Sequence, residues 1–244
     1  MGYTNTLPFQ YGLNREFISG EIDLQLDFPA ICAKKVLDKK VDIGLVPVAI
    51  LNQNPDLKII SDYCISANGK VDSVILYSDQ PVYSLKKIIL DYQSRTSVQL
   101  VKILCKELWN IQPVFTPADF NFIDEISDTT GGVVIGDRTF KLKDRFKYSY
   151  DLSENWQKLT GLPFVFACWV STTEIPSSFL NRFNTALKYG TTNIEQSIIL
   201  NNAPDGLNND ECDFYLTKRI EYELSENKKK GLALFLSKLM SFQS

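Results

Sequence analysis

The sequence predicts an α/β fold of two lobes with a ligand cleft between them. Short apolar runs of strand character alternate with segments of helical spacing. Turn signals near Pro81 and around residue 160 divide these runs into groups, so the chain is expected to cross between lobes twice. The composition, 44% hydrophobic and 23% charged over 244 residues, is that of a globular chain long enough for two ordinary lobes. Residues 1–79 and 165–244 are expected to form one lobe and residues 80–164 the other, with a ligand bound in the cleft.

The elements follow in order. Residues 29–37 read as a helix with Ala30, Ala33 and Leu37 on one face. Residues 41–48 (V-D-I-G-L-V-P-V) form a buried strand that stops at Pro47, and residues 57–65 and 73–77 are further strands, in the pattern of a parallel sheet. Beyond Pro81, residues 87–90 make a strand ending in Asp91. The run S-R-T-S (Ser94 to Ser97) then opens a helix over 98–109, where Val101, Leu104, Cys105 and Leu108 share a face. Val114 and Phe115 begin a short strand. An acidic, broken stretch reaches the Gly131-Gly132 turn and the strand 133–136. Residues 160–170 return as a strand, 179–189 and 194–200 are helical, and a polar loop over 201–210 leads to two closing helices. Ser225 and Glu226 mark the start of the last, which ends near Met240.

Composition narrows the chemistry. Histidine is absent, which removes a histidine base, a Ser-His-Asp triad and the usual zinc enzymes. Net charge is -3 with no long basic block, so no nucleic-acid partner is expected. The five cysteines are scattered and never C-x-x-C, a reduced cytoplasmic pattern of mostly buried thiols. No secretory leader or 18-residue apolar run is present, and no membrane partner is expected. G-x-G-x-x-G, a Walker A loop and metal-ligand spacing are all missing, so no cofactor or metal is expected.

Four runs hold candidate site residues. Ser94, Arg95, Thr96 and Ser97 place hydroxyls, a guanidinium and free N–H groups at a helix N-terminus, which suits a carboxylate or phosphate and equally suits simple capping. Asn5, within Y-T-N-T-L-P-F, can both donate to and accept from a substrate hydroxyl, or form a turn before Pro8. Ser73 begins a strand after a turn and, lacking a histidine, would serve as a donor rather than a nucleophile. Gly136 ends a strand where a ligand can approach backbone, and Asp137 is open between a base and a cap paired with Arg138.

Taken in order, Tyr3 to Leu13, Cys32 to Leu37, Val41 to Ala49, Ile59 to Ile65, Gly69 to Val74, Leu90 to Ser97, Ile135 to Phe140, Tyr150 to Leu152 and Trp156 to Trp169 resemble the chorismate dehydratase family of the futalosine route to menaquinone. The resemblance implies a type II periplasmic-binding-protein-like fold working in the cytoplasm on chorismate, which loses water to give 3-(1-carboxyvinyloxy)benzoate. It implies Asn5 at the reacting hydroxyl, Ser73 as a donor to substrate, and Thr6, Ser94 to Ser97, Gly136 and Asp137 as substrate contacts. Family members carry a strand ahead of the Tyr3 run, where this sequence has Met1 and Gly2. Two other readings compete: a module that binds a small carboxylate unchanged, and the sister 1,4-dihydroxy-6-naphthoate synthases, whose expected histidine base this chain lacks.

Overall fold

The computed structural model describes residues 2–241. Its elements run α1 (Leu7–Leu13), α2 (Glu16–Ser19), α3 (Pro29–Leu37), β1 (Gly44–Pro47), β2 (Lys58–Ala67), β3 (Val74–Ser78), β4 (Lys87–Leu90), α4 (Thr96–Glu107) and β5 (Val114–Pro117). They continue with β6 (Thr130–Ile135), β7 (Tyr148–Asp151), α5 (Leu152–Thr160), β8 (Phe164–Ser171), α6 (Ser177–Thr192), α7 (Ile194–Asn201), α8 (Asn209–Phe214), β9 (Glu221–Glu223) and α9 (Glu226–Ser241). A 3-10 turn precedes α1 at Thr4–Thr6, and a π-helical turn follows α8 at Tyr215–Arg219. Of the two positions ahead of Tyr3, Met1 lies outside the described residues and Gly2 is not in a strand.

The strands form two sheets. The first has the order β1-β8-β2-β9 with every neighbouring pair antiparallel. The second has the order β5-β4-β6-β3-β7, in which β4 runs parallel to β5 and β6 while β3 runs antiparallel to β6 and β7. The expected parallel sheet is therefore confined to β4, β5 and β6. There, α4 carries the chain from the end of β4 back to the start of β5, the crossover that parallel neighbours need.

The first crossing comes earlier than expected. Val74–Ser78, read as the end of the first lobe, pairs in the second sheet, with Ile75 opposite both Val134 and Asp151. The chain thus passes between sheets over residues 68–73, not at 79. It returns through α5 to Phe164, the first residue of β8.

A buried carboxylate secures both crossings. Asp151 caps α5 by accepting from the N–H groups of Ser153 at 3.0 Å and Glu154 at 3.1 Å. Its other oxygen accepts from Val71 and Asp72, each at 2.8 Å. Gly161, at φ 72°, ends α5 in the left-handed conformation that a residue without Cβ adopts freely. Trp156 on α5 is fully buried against Phe164 and Phe235.

Helix α3 has the expected bounds, with Pro29 pre-set for its first turn. Its inner face is Ala33 and Val36, whereas Leu37 is exposed and Ala30 only partly covered. The face is set one residue earlier than the spacing of alanines suggested.

Helix α1 is held against α6 by two glycines that face each other's backbone. A Cβ on Gly12 would stand 1.9 Å from the Ala186 carbonyl oxygen, and one on Gly190 would stand 1.8 Å from that of Pro8. Phe9 of α1 enters the core among Tyr63, Trp169 and Tyr222. This docking fixes where the preceding 3-10 turn sits. Replacing Gly190 by Ala should force the helices apart and lower stability by about 2–3 kcal/mol. A urea midpoint equal to that of the unaltered protein would rule out the close contact.

Candidate functional site

A cleft of about 570 Å³, counting its open mouth, lies between the two sheets where the first crossing meets the N-terminal turn. Its polar lining is Tyr3, Asn5, Ser73, Gln93 and Ser94 to Ser97. Apolar cover comes from Pro29, Pro47, Ile65, Val71, Val74, Ile135, Phe166 and Ala167. Seven of the sequence-expected residues meet here: Asn5, Ser73, Ser94, Arg95, Thr96, Ser97 and Gly136. Thr6 and Asp137 do not line it.

One end of the cleft is the N-terminus of α4. The Ser94 hydroxyl caps it by accepting from the Ser97 N–H at 2.9 Å, so capping and site-lining coexist in one residue. Thr96 is spent internally, donating to the Phe166 carbonyl and accepting from the Ala49 N–H, each at 3.3 Å. Arg95 is exposed and makes no ion pair with another described residue. Its guanidinium and the first-turn N–H groups other than that of Ser97 are left to an anion. Arg95 is also the one formally charged side chain in the lining.

Behind that end sits a network that the sequence reading missed. Asp91 is buried at 1% exposure and accepts from the Gln93 N–H at 2.9 Å, the Ile135 N–H at 3.0 Å and the Arg138 guanidinium at 2.5 Å. Arg138 also donates to Gln93 Oε1 at 3.2 Å, and the Tyr3 hydroxyl donates to the same oxygen at 2.5 Å. The expected Asp137–Arg138 pair is corrected: Arg138 turns to Asp91, which has the deeper carboxylate and the greater need of a counter-charge. Burial, reinforced by Asp91, raises the Tyr3 hydroxyl above its ordinary pKa, so it stays a neutral donor.

Asp137 and Thr6 hold the N-terminal turn. Both Asp137 oxygens accept from the Thr4 N–H at 3.3 Å, and burial raises this carboxyl above the usual range. The Thr6 hydroxyl donates to the Tyr3 carbonyl at 2.7 Å and accepts from Gln10 Nε2 at 2.9 Å. Gly136, at φ 70°, leaves room for the Tyr3 ring, which a Cβ there would meet at 2.5 Å.

Asn5 and Ser73 line the cleft as well. Asn5 Oδ1 is buried with no hydrogen-bond partner, a cost of roughly 1–3 kcal/mol unless something arrives to satisfy it. Ser73 is buried, and its Oγ accepts from the Tyr215 hydroxyl at 2.8 Å. Burial keeps that tyrosine neutral by raising its pKa. The arrangement can grip an anion at the helix end while hydrogen-bonding a hydroxyl through Asn5 and Ser73. Tyr3 and Gln93 lay inside or beside quoted runs but carry no signal separating a cleft wall from a turn. Tyr215 has none at all.

Asp91→Asn should leave Arg138 without its charge partner and cost about 3 kcal/mol of stability. Chemical denaturation measures this, and a loss below about 0.5 kcal/mol would mean that the pair does not hold the cleft wall.

Comparison with known proteins adds a family to this geometry. A family model described as menaquinone biosynthesis matches residues 1–241. A chorismate dehydratase of Campylobacter jejuni is 33% identical over 236 residues, covering 94% of this chain and 86% of that protein. A chorismate dehydratase of Thermus thermophilus is 30% identical over 181 residues, covering 67% of this chain and 59% of that relative. Among solved structures, protein AF1704 of Archaeoglobus fulgidus superposes with a TM-score of 0.75 at 15% identity, covering 99% of this chain and 94% of that one. The periplasmic aliphatic sulphonate binding protein SsuA of Escherichia coli superposes at 0.59 and 17% identity, covering 98% and 85%. The structural likenesses show a periplasmic-binding-protein fold.

Proposed function

The chain belongs to the menaquinone-biosynthesis family, and from that premise we propose that it is a chorismate dehydratase. It would be a hydro-lyase of the cytoplasm that converts chorismate into 3-(1-carboxyvinyloxy)benzoate and water. The observation that carries the reading is the unpartnered Asn5 carbonyl in a cleft that Ser73 and a helix N-terminus with Arg95 also line.

Chorismate is a dianion with one ring hydroxyl. In this reading the ring carboxylate lies at the N-terminus of α4 against Arg95, and the hydroxyl lies between Asn5 and Ser73. The proton on the ether-bearing ring carbon goes to a base, and its bonding pair becomes the new ring π bond. The neighbouring carbon–oxygen bond breaks, and the hydroxyl takes up one proton to leave as water. Aromatisation supplies much of the driving force, so the protein's task is orientation and support of the departing oxygen.

No carboxylate, lysine or cysteine lines the cleft. Asp137 stands outside it, committed to Thr4. The enolpyruvyl carboxylate of the substrate therefore acts as the base, held near its proton by the geometry of the bound dianion. The lack of any histidine disfavours the sister naphthoate synthases.

The decisive experiment incubates the purified protein with chorismate and follows loss of one water by mass spectrometry against the spontaneous decay of chorismate. Chorismate that survives yet raises the melting temperature would make this a binding protein instead. Asn5→Ala should lower kcat by about 100-fold or more with an unchanged circular dichroism spectrum. Arg95→Ala should act mainly on KM, raising it roughly 10-fold, through loss of a charge-assisted contact. Because no carboxylate, cysteine or lysine among the described residues lines the cleft, kcat/KM should be flat from about pH 6 to 9. A limb with its midpoint inside that interval would restore a protein base to the mechanism.

A further inference from the structure

The π-helical turn Tyr215–Arg219 stands over the first crossing. It is closed by the Ile220 N–H donating to the Tyr215 carbonyl at 3.1 Å, five residues back. Such turns are rare and gather at functional sites, because the extra residue re-aims side chains. Here two side chains four residues apart reach adjacent residues of the crossing. The Arg219 guanidinium meets the Asp72 carboxylate at 2.5 Å, and the Tyr215 hydroxyl meets Ser73 Oγ at 2.8 Å. Asp72 itself sits at φ 60°, a left-handed backbone that this contact helps to hold.

Tyr215 does more than touch Ser73. The Asn5 side chain also lies close enough to bear on its hydroxyl. It is buried at 3% exposure with its ring edge-on to Phe140, so it has no solvent to turn to. A phenol has one proton to give, and Ser73 receives it. The carbonyl of Asn5 is left unpartnered. The Ser73 hydroxyl, already accepting, keeps its own proton and donates it to no described residue. The bond from Tyr215 to Ser73 thus has a direction, and the groups left free beside it are one acceptor, on Asn5, and one donor, on Ser73.

We propose that Tyr215 is a positioning residue that sets this polarity, so that Asn5 and Ser73 present an acceptor and a donor to a single substrate hydroxyl. A hydroxyl needs both: it donates to Asn5 and accepts from Ser73. As the carbon–oxygen bond breaks and negative charge gathers on the oxygen, the Ser73 contact strengthens. Without the phenol, Ser73 loses the donor that fixes its hydroxyl and can turn its proton away from the substrate.

The inference rests on the dehydration reading, so turnover of chorismate by the unaltered protein comes first; its absence would count against that reading and not against Tyr215 alone. Given turnover, Tyr215→Phe keeps the ring and removes the hydroxyl. It should lower kcat roughly 10- to 100-fold while KM moves less than about threefold. The product lacks the ring hydroxyl, so its inhibition constant should stay within about twofold of the unaltered value. In a Ser73→Ala background the same substitution should cost far less than it does alone, because Tyr215 acts through its neighbours.

A Tyr215→Phe enzyme with unchanged kcat would overturn the proposal. So would one that weakens product binding as much as it slows turnover, since that pattern marks a general disturbance of the cleft. A Tyr215→Phe chain that fails to fold would overturn it as well, by assigning the hydroxyl to the fold. Equal losses with and without Ser73 would separate the two residues and do the same.

Discussion

The cleft depends on one carboxylate that never touches it. Asp151 receives four backbone N–H groups, two from the first crossing and two from the start of α5. Without it the segment from Val71 to Ser73 would have buried donors and no acceptors, at a free-energy cost for each. With it, the crossing becomes a rigid ledge from which Val71, Ser73 and Val74 line the cleft. Arg219 holds the same ledge from the opposite side through Asp72. The site is therefore built on chain that is neither helix nor strand, made stiff by charge-assisted hydrogen bonds in place of a regular ladder.

A second feature of the molecule is what its cleft lacks. Among the described residues the cleft is lined by hydroxyls, carboxamides, a helix end and one guanidinium, while the carboxylates nearby serve the frame: Asp91 the cleft wall, Asp137 the N-terminal turn, Asp151 the crossing. This division suits a dianionic substrate, which carboxylates in the lining would repel. It also suits chemistry in which the substrate carries its own base. Arg95, the lone charge of the lining, stays exposed, so little desolvation cost attaches to it before a ligand arrives.

Much of this was legible in the sequence, and the limits have physical causes. The S-R-T-S run announced a helix N-terminus because small hydroxyl residues before an apolar-periodic segment satisfy free N–H groups. The bounds of α3 followed from Pro29, and β4 was read in full from its apolar run. The sheet to which Val74–Ser78 belongs was not legible, since a strand buried on both faces shows burial without naming its partners. Helix α5 had a usable signal, Asp151 with Glu154 three residues on and Gly161 at its end, which the strand reading of residues 160–170 overlooked. Tyr215 had no signal. Its contact with Ser73 arises from a turn closed by a hydrogen bond five residues back, and whether a helix takes that form depends on what its side chains find at the other end of a 142-residue separation.

The reciprocal approach of Gly12 and Gly190 carries a consequence for how descendants of this sequence can vary. In most packed pairs, a residue that grows is accommodated by a partner that shrinks. Here both positions already hold the smallest residue, and each faces main chain. Neither can shrink to admit the other, and backbone carbonyls cannot be mutated away. The two sites are locked against compensation, and any lineage that keeps Asn5 where it stands inherits both glycines together.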